Sequence, residues 1–411
     1  MPLKAFDICK FCFIVFHDWR PELNDQVFTP QRWKQILDLS ATLPTPHIII
    51  DTDVIERKYK ELKRNFPQAV IHYAVKANPN EKVVRKLAQL GSHFDIASRY
   101  ELDFVLYLGV TADRIFFGNT IKKEADIRYF YEEGVRTFAT DCESDLLKIS
   151  RAAPGSKVFV RILLSNSTSD SADWPLSKKF GCSPAIASDL LEMCIDCGLE
   201  PYGLSFHVGS QQRDIDQWEG AIAMAASVVE KLEKPIKMLN LGGGLPACYE
   251  LESRPVKDYA AKISSFINYY FPDPDTRPYI VMEPGRSIAA DSGVLVAEVI
   301  TVEKKTHYED HRWVYLDAGK FNGLIETIDE SIKYRITTSI KNEEKCETGP
   351  VILAGPTCDS MDIMYEKYKY ELPLELKSGD RLYFHSAGAY TSTYASVCFN
   401  GFPPIKTYTL E

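Results

Sequence analysis

Four groups in this sequence could serve one reaction. Lys76 ends the apolar run Tyr73-Ala74-Val75 and is followed by Asn78-Pro79, which breaks the chain. A lysine held against an apolar wall loses solvation, which lowers its pKa and frees the neutral amine that a Schiff base requires. Further along, Gly242-Gly243-Gly244 offers a loop whose backbone N–H groups can approach an anion, and Glu283-Pro284-Gly285-Arg286 adds a carboxylate and a guanidinium. His207, before Val208-Gly209-Ser210, contributes a flat imidazole. Each group alone is ordinary: strand-end lysines are usually solvated, glycine runs usually serve tight turns, and lone histidines usually sit satisfied in a core.

The elements that must carry these residues alter that balance. Between residues 70 and 286, eight short apolar runs recur, each followed by a helical pattern: 70–75, 93–97, 114–118, 137–141, 158–162, 203–207, 238–242 and 279–283. Asn80 can cap the helix before Gly91, and Ser98 with Glu101 makes a capping box ahead of the helix that Gly109 closes. Alternation of this kind predicts a TIM (β/α)8 barrel, with a doubly wound open sheet as the alternative. On the barrel reading, Lys76, Asp95, Asn119, Asp141, Arg161, His207, Gly242 to Gly244 and Glu283 to Arg286 all fall at C-terminal strand ends. Barrels of this kind keep their active sites on that face, with a phosphate after strands seven and eight. A phosphate cradle, an amine, a carboxylate and a stacking imidazole together describe a pyridoxal 5′-phosphate site. Lys76 would hold the aldehyde, Glu283 would keep the pyridine nitrogen protonated, and His207 would stack on the ring.

From about residue 290 the pattern becomes alternation without long helices, which reads as an antiparallel β-sandwich or barrel. The expected division is a segment 1–45 packing with the β domain, a barrel over 46–286 and the β domain over 287–411. The 411 residues suit two or three domains, and a net charge of −9 offers no basic field for nucleic acid or an anionic membrane. Phe11 to Phe16 is too short to span a bilayer or act as a secretory signal, so the chain reads as soluble and cytoplasmic. Two CxxC pairs, Cys9/Cys12 and Cys194/Cys197, lie too far apart for a zinc ribbon, and the second falls in a helical run; reduced thiols and no metal are expected.

The motifs YAVKANPN, HVGSQ, GGG, EPGR, PTCDSMD, GAY and FNGF resemble, in order and spacing, the ornithine, arginine and diaminopimelate decarboxylases of the alanine-racemase-like pyridoxal phosphate fold. The likeness runs from about residue 25 to the end and points to the bacterial ornithine or lysine/ornithine branch. It implies a homodimer with active sites shared between one subunit's barrel and the other's β domain. It also implies that Ser210, Gly244, Arg286 and Tyr390 bind the cofactor's phosphate and that Gly243, Pro284 and Gly285 belong to the cofactor site, with Asp95 and Arg161 in support. From the partner subunit, Cys358 would return a proton to the substrate carbon and Asp359 would meet the substrate's distal amine. Lys179 and Asp362 match positions that pair across the dimer.

Glu283 favours decarboxylation over racemisation, because the related racemases place an arginine by that nitrogen. Cys358-Asp359-Ser360 stands where diaminopimelate enzymes read CES, and a carboxylate at 359 suits a cationic far end, as in ornithine or lysine. Eukaryotic-type ornithine decarboxylases carry a Tyr-Asp pair where this chain has Glu326-Thr327. Glu326, or Asp329 in its place, is therefore expected to reach the distal amine, against the plainer reading of acids at a solvated helix start. The sequence thus points to ornithine decarboxylation yielding putrescine, with lysine or arginine turnover as the alternative. A catalytically inactive antizyme-inhibitor-like regulator is the alternative of a different class; such proteins typically lose residues that are all present here.

Overall fold

The computed structural model describes residues 27–164, 172–174, 178–251 and 253–411. Eight parallel strands close into a barrel: Val70–Ala74, His93–Ile96, Ile115–Phe117, Thr137–Thr140, Lys157–Arg161, Glu200–Ser205, Met238–Asn240 and Tyr279–Met282. The eighth pairs back onto the first through Val281 with Val70 and Met282 with Ile71. Closure excludes the open sheet. Every strand stops one or two residues before the end of its apolar run, and the polar groups of the mouth sit at or just past these ends: Asp95 and Arg161 within the last two residues of their strands, Asp141 and Glu283 directly after theirs. Phe116, Phe159, Met238 and Val281 fill the interior, which is a packed core and not a pore.

The caps form as the residue types require. Asn80 accepts from the Lys82 N–H and starts Glu81–Gln89; Ser98 accepts from the Glu101 N–H and starts Arg99–Tyr107. The Glu101 carboxylate reaches back to the Ala97 N–H at 2.7 Å, one residue before the expected capping-box donor. Gly91 and Gly109, at φ +84° and +85°, end these helices in a conformation that favours glycine.

The remaining chain forms a nine-stranded, mostly antiparallel sheet around the long strand Gly293–Glu303. Three features differ from expectation. His47–Asp51, placed by position in the barrel segment, instead pairs antiparallel with Gly293–Glu303 and parallel with Lys406–Leu410. Its three isoleucines are buried, as suits a central strand covered on both faces. Arg312–Leu316 and Thr348–Ala354 also pair in parallel. The run 395–401, whose residues continue the alternation of the β domain, holds no strand and ends in the short 3-10 turn Phe399–Gly401, with Asn400 in the left-handed region.

Helix Pro30–Ala41 lays Trp33 and Ile36, with Phe28, against Val294, Val296 and Tyr383, so the described part of the leading segment packs on the β domain. The apolar run 11–16 and the pair Cys9/Cys12 lie outside the described residues. Cys194 is buried in helix Pro184–Asp196 and Cys197 ends it. No helix among the described residues is long and apolar enough to cross a membrane.

Candidate active site

Lys76 stands on the turn Val75–Ala77 after the first barrel strand, with about half of its side chain open to the barrel mouth. Its Nζ lies 3.2 Å from Oδ2 of Asp95, at the end of the neighbouring strand. This corrects the expected direction of its pKa. Burial alone would lower it, but Asp95, Tyr390 and Glu283 outweigh that effect and hold the amine protonated above its ordinary range. Desolvation is answered by charge. Asp95 is 5 % exposed, and Gly118 beside it leaves no room for a side chain: a Cβ there would lie 1.9 Å from Asp95 Oδ1.

Glu283 follows the eighth strand. Burial, and next the negative charge of Asp95, raise its carboxyl well above the ordinary glutamate range. Asn240 donates from Nδ2 to Glu283 Oε1 at 2.5 Å, while its Oδ1 accepts from the Gly242 N–H at 2.9 Å. A backbone N–H can only donate, so the amide has one orientation. Asn240 therefore ties the carboxylate to the glycine loop. Sequence reading missed it, although its place directly before Leu241-Gly242-Gly243-Gly244 was a signal.

His207 Nδ1 accepts from the Gly209 N–H at 3.0 Å. Burial first, then the positive charges of Arg161 and Lys76, push its pKa down to about 3, which leaves a neutral ring. Arg161, from the fifth strand, acts on Glu283, Asp95 and Asp141, and its guanidinium lies 5.0 Å from the Phe180 ring. Asp141 in turn accepts from the Gly181 N–H at 2.8 Å.

Arg286 anchors the opposite side. Its Nε donates to Ser210 Oγ at 3.0 Å and its Nη1 to the Tyr249 hydroxyl at 2.8 Å; the Tyr390 ring centre is 4.8 Å from the guanidinium. Tyr390 comes from the β domain, held by a hydrogen bond from its N–H to Ala77 O at 2.9 Å, with φ at +56°. A bulky residue at positive φ beside a site marks backbone strain maintained by its surroundings. Pro284 O accepts from the Ala74 N–H at 3.2 Å and joins the eighth strand's loop to the first strand.

The glycines here are spatial necessities. A Cβ on Gly243 would lie 2.9 Å from Glu283 O, on Gly244 2.7 Å from Val208 Cγ2, and on Gly285 2.8 Å from the Ala77 Cβ. Bare loops facing a guanidinium, a serine and a tyrosine suit a phosphate. A lysine, a neutral imidazole and a partly buried carboxylate suit a pyridine aldehyde. The residues fit pyridoxal 5′-phosphate.

Two expected placements, those of Glu326 and Asp362, differ. Glu326 does not line a substrate rim: it is 1 % exposed, and its oxygens accept from Arg286 Nη1 at 2.7 Å and Nη2 at 2.5 Å. Asp329 is exposed at φ +52°. Asp362, expected to meet Lys179 across a dimer, is 2 % exposed, and both its oxygens accept from its own chain: Lys320 N–H at 2.8 Å, and the Thr357 N–H and hydroxyl at 3.1 and 2.7 Å. The Lys179 ammonium lies 5.1 Å from the Phe180 ring. Cys358 and Asp359 are exposed on the β domain, and among the described residues no hydrogen bond or ion pair joins them to the barrel mouth.

Comparison with known proteins identifies the class. Residues 52–290 match the family described as pyridoxal-dependent decarboxylase, pyridoxal binding domain. The lysine/ornithine decarboxylase of Selenomonas ruminantium is 32 % identical over 92 % of this chain and 93 % of its own length. Antizyme inhibitor 2 of Xenopus laevis is 32 % identical over 86 % of this chain and 78 % of its own. The crystal structure of lysine/ornithine decarboxylase from Vibrio vulnificus with cadaverine superposes with a TM-score of 0.82 at 31 % identity, covering 93 % and 99 % of the two chains. The chain belongs to the pyridoxal-dependent ornithine/lysine/arginine decarboxylase family.

Proposed function

We propose that this chain decarboxylates L-ornithine to putrescine and CO2, with lysine as a second substrate, in a homodimer whose active sites are shared between subunits. The observation that carries this reading is the division of the polar groups. Lys76, Glu283, His207 and Arg286 converge in the barrel mouth, whereas Cys358 and Asp359 face outward from the β domain. Met361 and Val397, 62 % and 76 % exposed near the same turn, give an apolar surface that a second copy would cover.

When bound, pyridoxal 5′-phosphate supplies an aldehyde that captures amines and a ring that accepts the electrons released with CO2. Arg286, Ser210 and Tyr390 would hold its phosphate, and Gly243, Gly244, Pro284 and Gly285 would form the walls of that pocket. Glu283, oriented by Asn240, would hold a proton at the pyridine nitrogen. The neutral His207 ring would lie against the pyridine face, while Lys76, with Asp95 and Arg161 beside it, would bind the aldehyde. Cys358 of the partner subunit would deliver a proton to the substrate's α-carbon. Asp359 would pair with the distal ammonium; because Glu326 is bound to Arg286, Asp359 is the better candidate for that contact. A working thiol at 358 favours a reducing, cytoplasmic compartment.

Similarity to antizyme inhibitor 2 supports a second reading, a regulator without turnover. Retention of Lys76, Glu283, Arg286 and Cys358 favours catalysis. Steady-state kinetics with ornithine, lysine, arginine and diaminopimelate test the assignment: CO2 release fastest from ornithine by a protein that absorbs in the visible is expected. A colourless protein that releases no CO2 from any of them would leave the regulator. Full activity in Lys76→Ala would exclude the chemistry.

A further inference from the structure

The turn bearing Cys358 and Asp359 is exposed, yet its backbone is fixed at both ends by its own chain. At one end the Cys358 N–H donates to Asn400 Oδ1 at 2.9 Å. Asn400 adopts φ +50°, and Phe399 beside it packs on Phe321 with ring centres 4.9 Å apart. At the other end the Asp362 N–H donates to Asp359 O at 3.1 Å, and the Gly355 N–H donates to Asp362 O at 2.8 Å.

The Asp362 carboxylate gathers donors from two segments, Lys320 and Thr357. Its seat is shaped for it. A Cβ on Gly319 would lie 2.2 Å from Asp362 Oδ1, and one on Gly355 would lie 2.3 Å from both oxygens. Two glycines in separate segments leave room for one buried carboxylate, which a merely solvated surface acid would not need. Asp359 is also fixed locally, since its Oδ1 accepts from the Met361 N–H at 2.8 Å.

We propose that Asn400 and Asp362 are positioning residues, Asn400 aiming the Cys358 thiol and Asp362 setting the Asp359 carboxylate. The proposal rests on the decarboxylase reading of that turn. A proton donor works only within hydrogen-bond reach of its target, and an error of about 1 Å can cost on the order of 10²-fold in rate. A donor delivered from another subunit must therefore be shaped before the subunits meet. The stretch 395–401 alternates like a strand but folds as a turn, and the turn supplies the Asn400 oxygen.

The test compares the holoenzyme with its Asn400→Ala, Asn400→Asp and Asp362→Asn variants. Asn400→Ala should lower kcat about tenfold and leave KM within about twofold, the loss of one well-placed hydrogen bond. The cofactor's visible absorption should not change, while amide exchange over residues 356–362 should quicken. Asn400→Asp, which keeps the acceptor oxygen, should restore both. Asp362→Asn should instead raise KM about tenfold. Wild-type turnover and exchange in Asn400→Ala, or a loss that Asn400→Asp does not restore, would overturn the role of Asn400. An unchanged KM in Asp362→Asn would overturn that of Asp362, and if that variant does not fold, the Asn400 pair decides the proposal. The exchange measurement needs no turnover, so it tests the turn even if no amino acid is decarboxylated.

Discussion

The barrel mouth and the Cys358 turn are opposites in construction. In the mouth, charges are answered within the chain: the half-exposed Lys76 by Asp95, the partly buried Glu283 by Asn240 and the buried Arg286 by Glu326. At the turn, the backbone is secured at both ends and Asp359 Oδ1 accepts from the Met361 N–H, while the thiol and the carboxylate stay exposed. The difference teaches where the molecule is self-sufficient: one side closes its contacts within the protomer, whereas the other, on the reading proposed above, is assembled for delivery to a second copy. The largest effect follows from that division. Lys76→Ala and Cys358→Ala subunits, each severely impaired alone, should together recover about a quarter of wild-type activity, because half of the random dimers are hybrids with one intact site. No recovery on mixing would place both halves in one chain and break the comparison.

The next effect lies within the mouth. Glu326 and Arg286 form a buried pair, 1 % and 4 % exposed in their side chains. Removing one member leaves the other charge without its partner, so Glu326→Ala should lower unfolding stability by about 3–5 kcal/mol, read from urea midpoints. Asp359→Ala, at the exposed turn, should move the midpoint little. Equal shifts would show that the two regions are not built differently.

What could be read from the sequence follows the same division between local and distant causes. The eight barrel strands and the caps at Asn80 and Ser98 depend on neighbours within a few residues, and they were legible. Strand 47–51 was not placed, because its partners, Val294 to Val296 and Lys406 to Leu410, are hundreds of residues away. Glu326 was read as a substrate contact for the same reason: its partner lies 40 residues earlier. For Lys76 the position was legible but the direction of the pKa was not, since apolar neighbours in sequence reveal desolvation and conceal the carboxylate on the next strand.

Acid should find the buried regions first. Burial, with Arg335 nearby, pushes His385 from 6.5 down to about 4, and its Nε2 lies 2.9 Å from Thr337 Oγ1. The folded pKa lies below the unfolded one, so the stability of the neutral ring is fully present above 6.5 and is lost as pH falls towards 4. Across that window wild type should lose about 3 kcal/mol more than His385→Gln, which cannot take up the proton. Parallel acid profiles for the two proteins would refute the assignment.

The smallest effect tests the joint inside the mouth. Asn240 holds Glu283 by one hydrogen bond to its ionised form, which opposes the rise that burial and Asp95 impose. Without it the carboxylate loses a charge-assisted partner, and its proton affinity should increase by about tenfold. In Asn240→Ala holoenzyme, the titration of the cofactor's visible absorption should therefore move to higher pH. Because Asn240 Oδ1 also accepts from the Gly242 N–H, the same substitution should weaken binding of the cofactor to the apoprotein. A substitution at Asp359 should change neither. A shift in titration with unchanged cofactor affinity would mean that Asn240 serves the pyridine side alone, and that the glycine loop holds its shape by sterics.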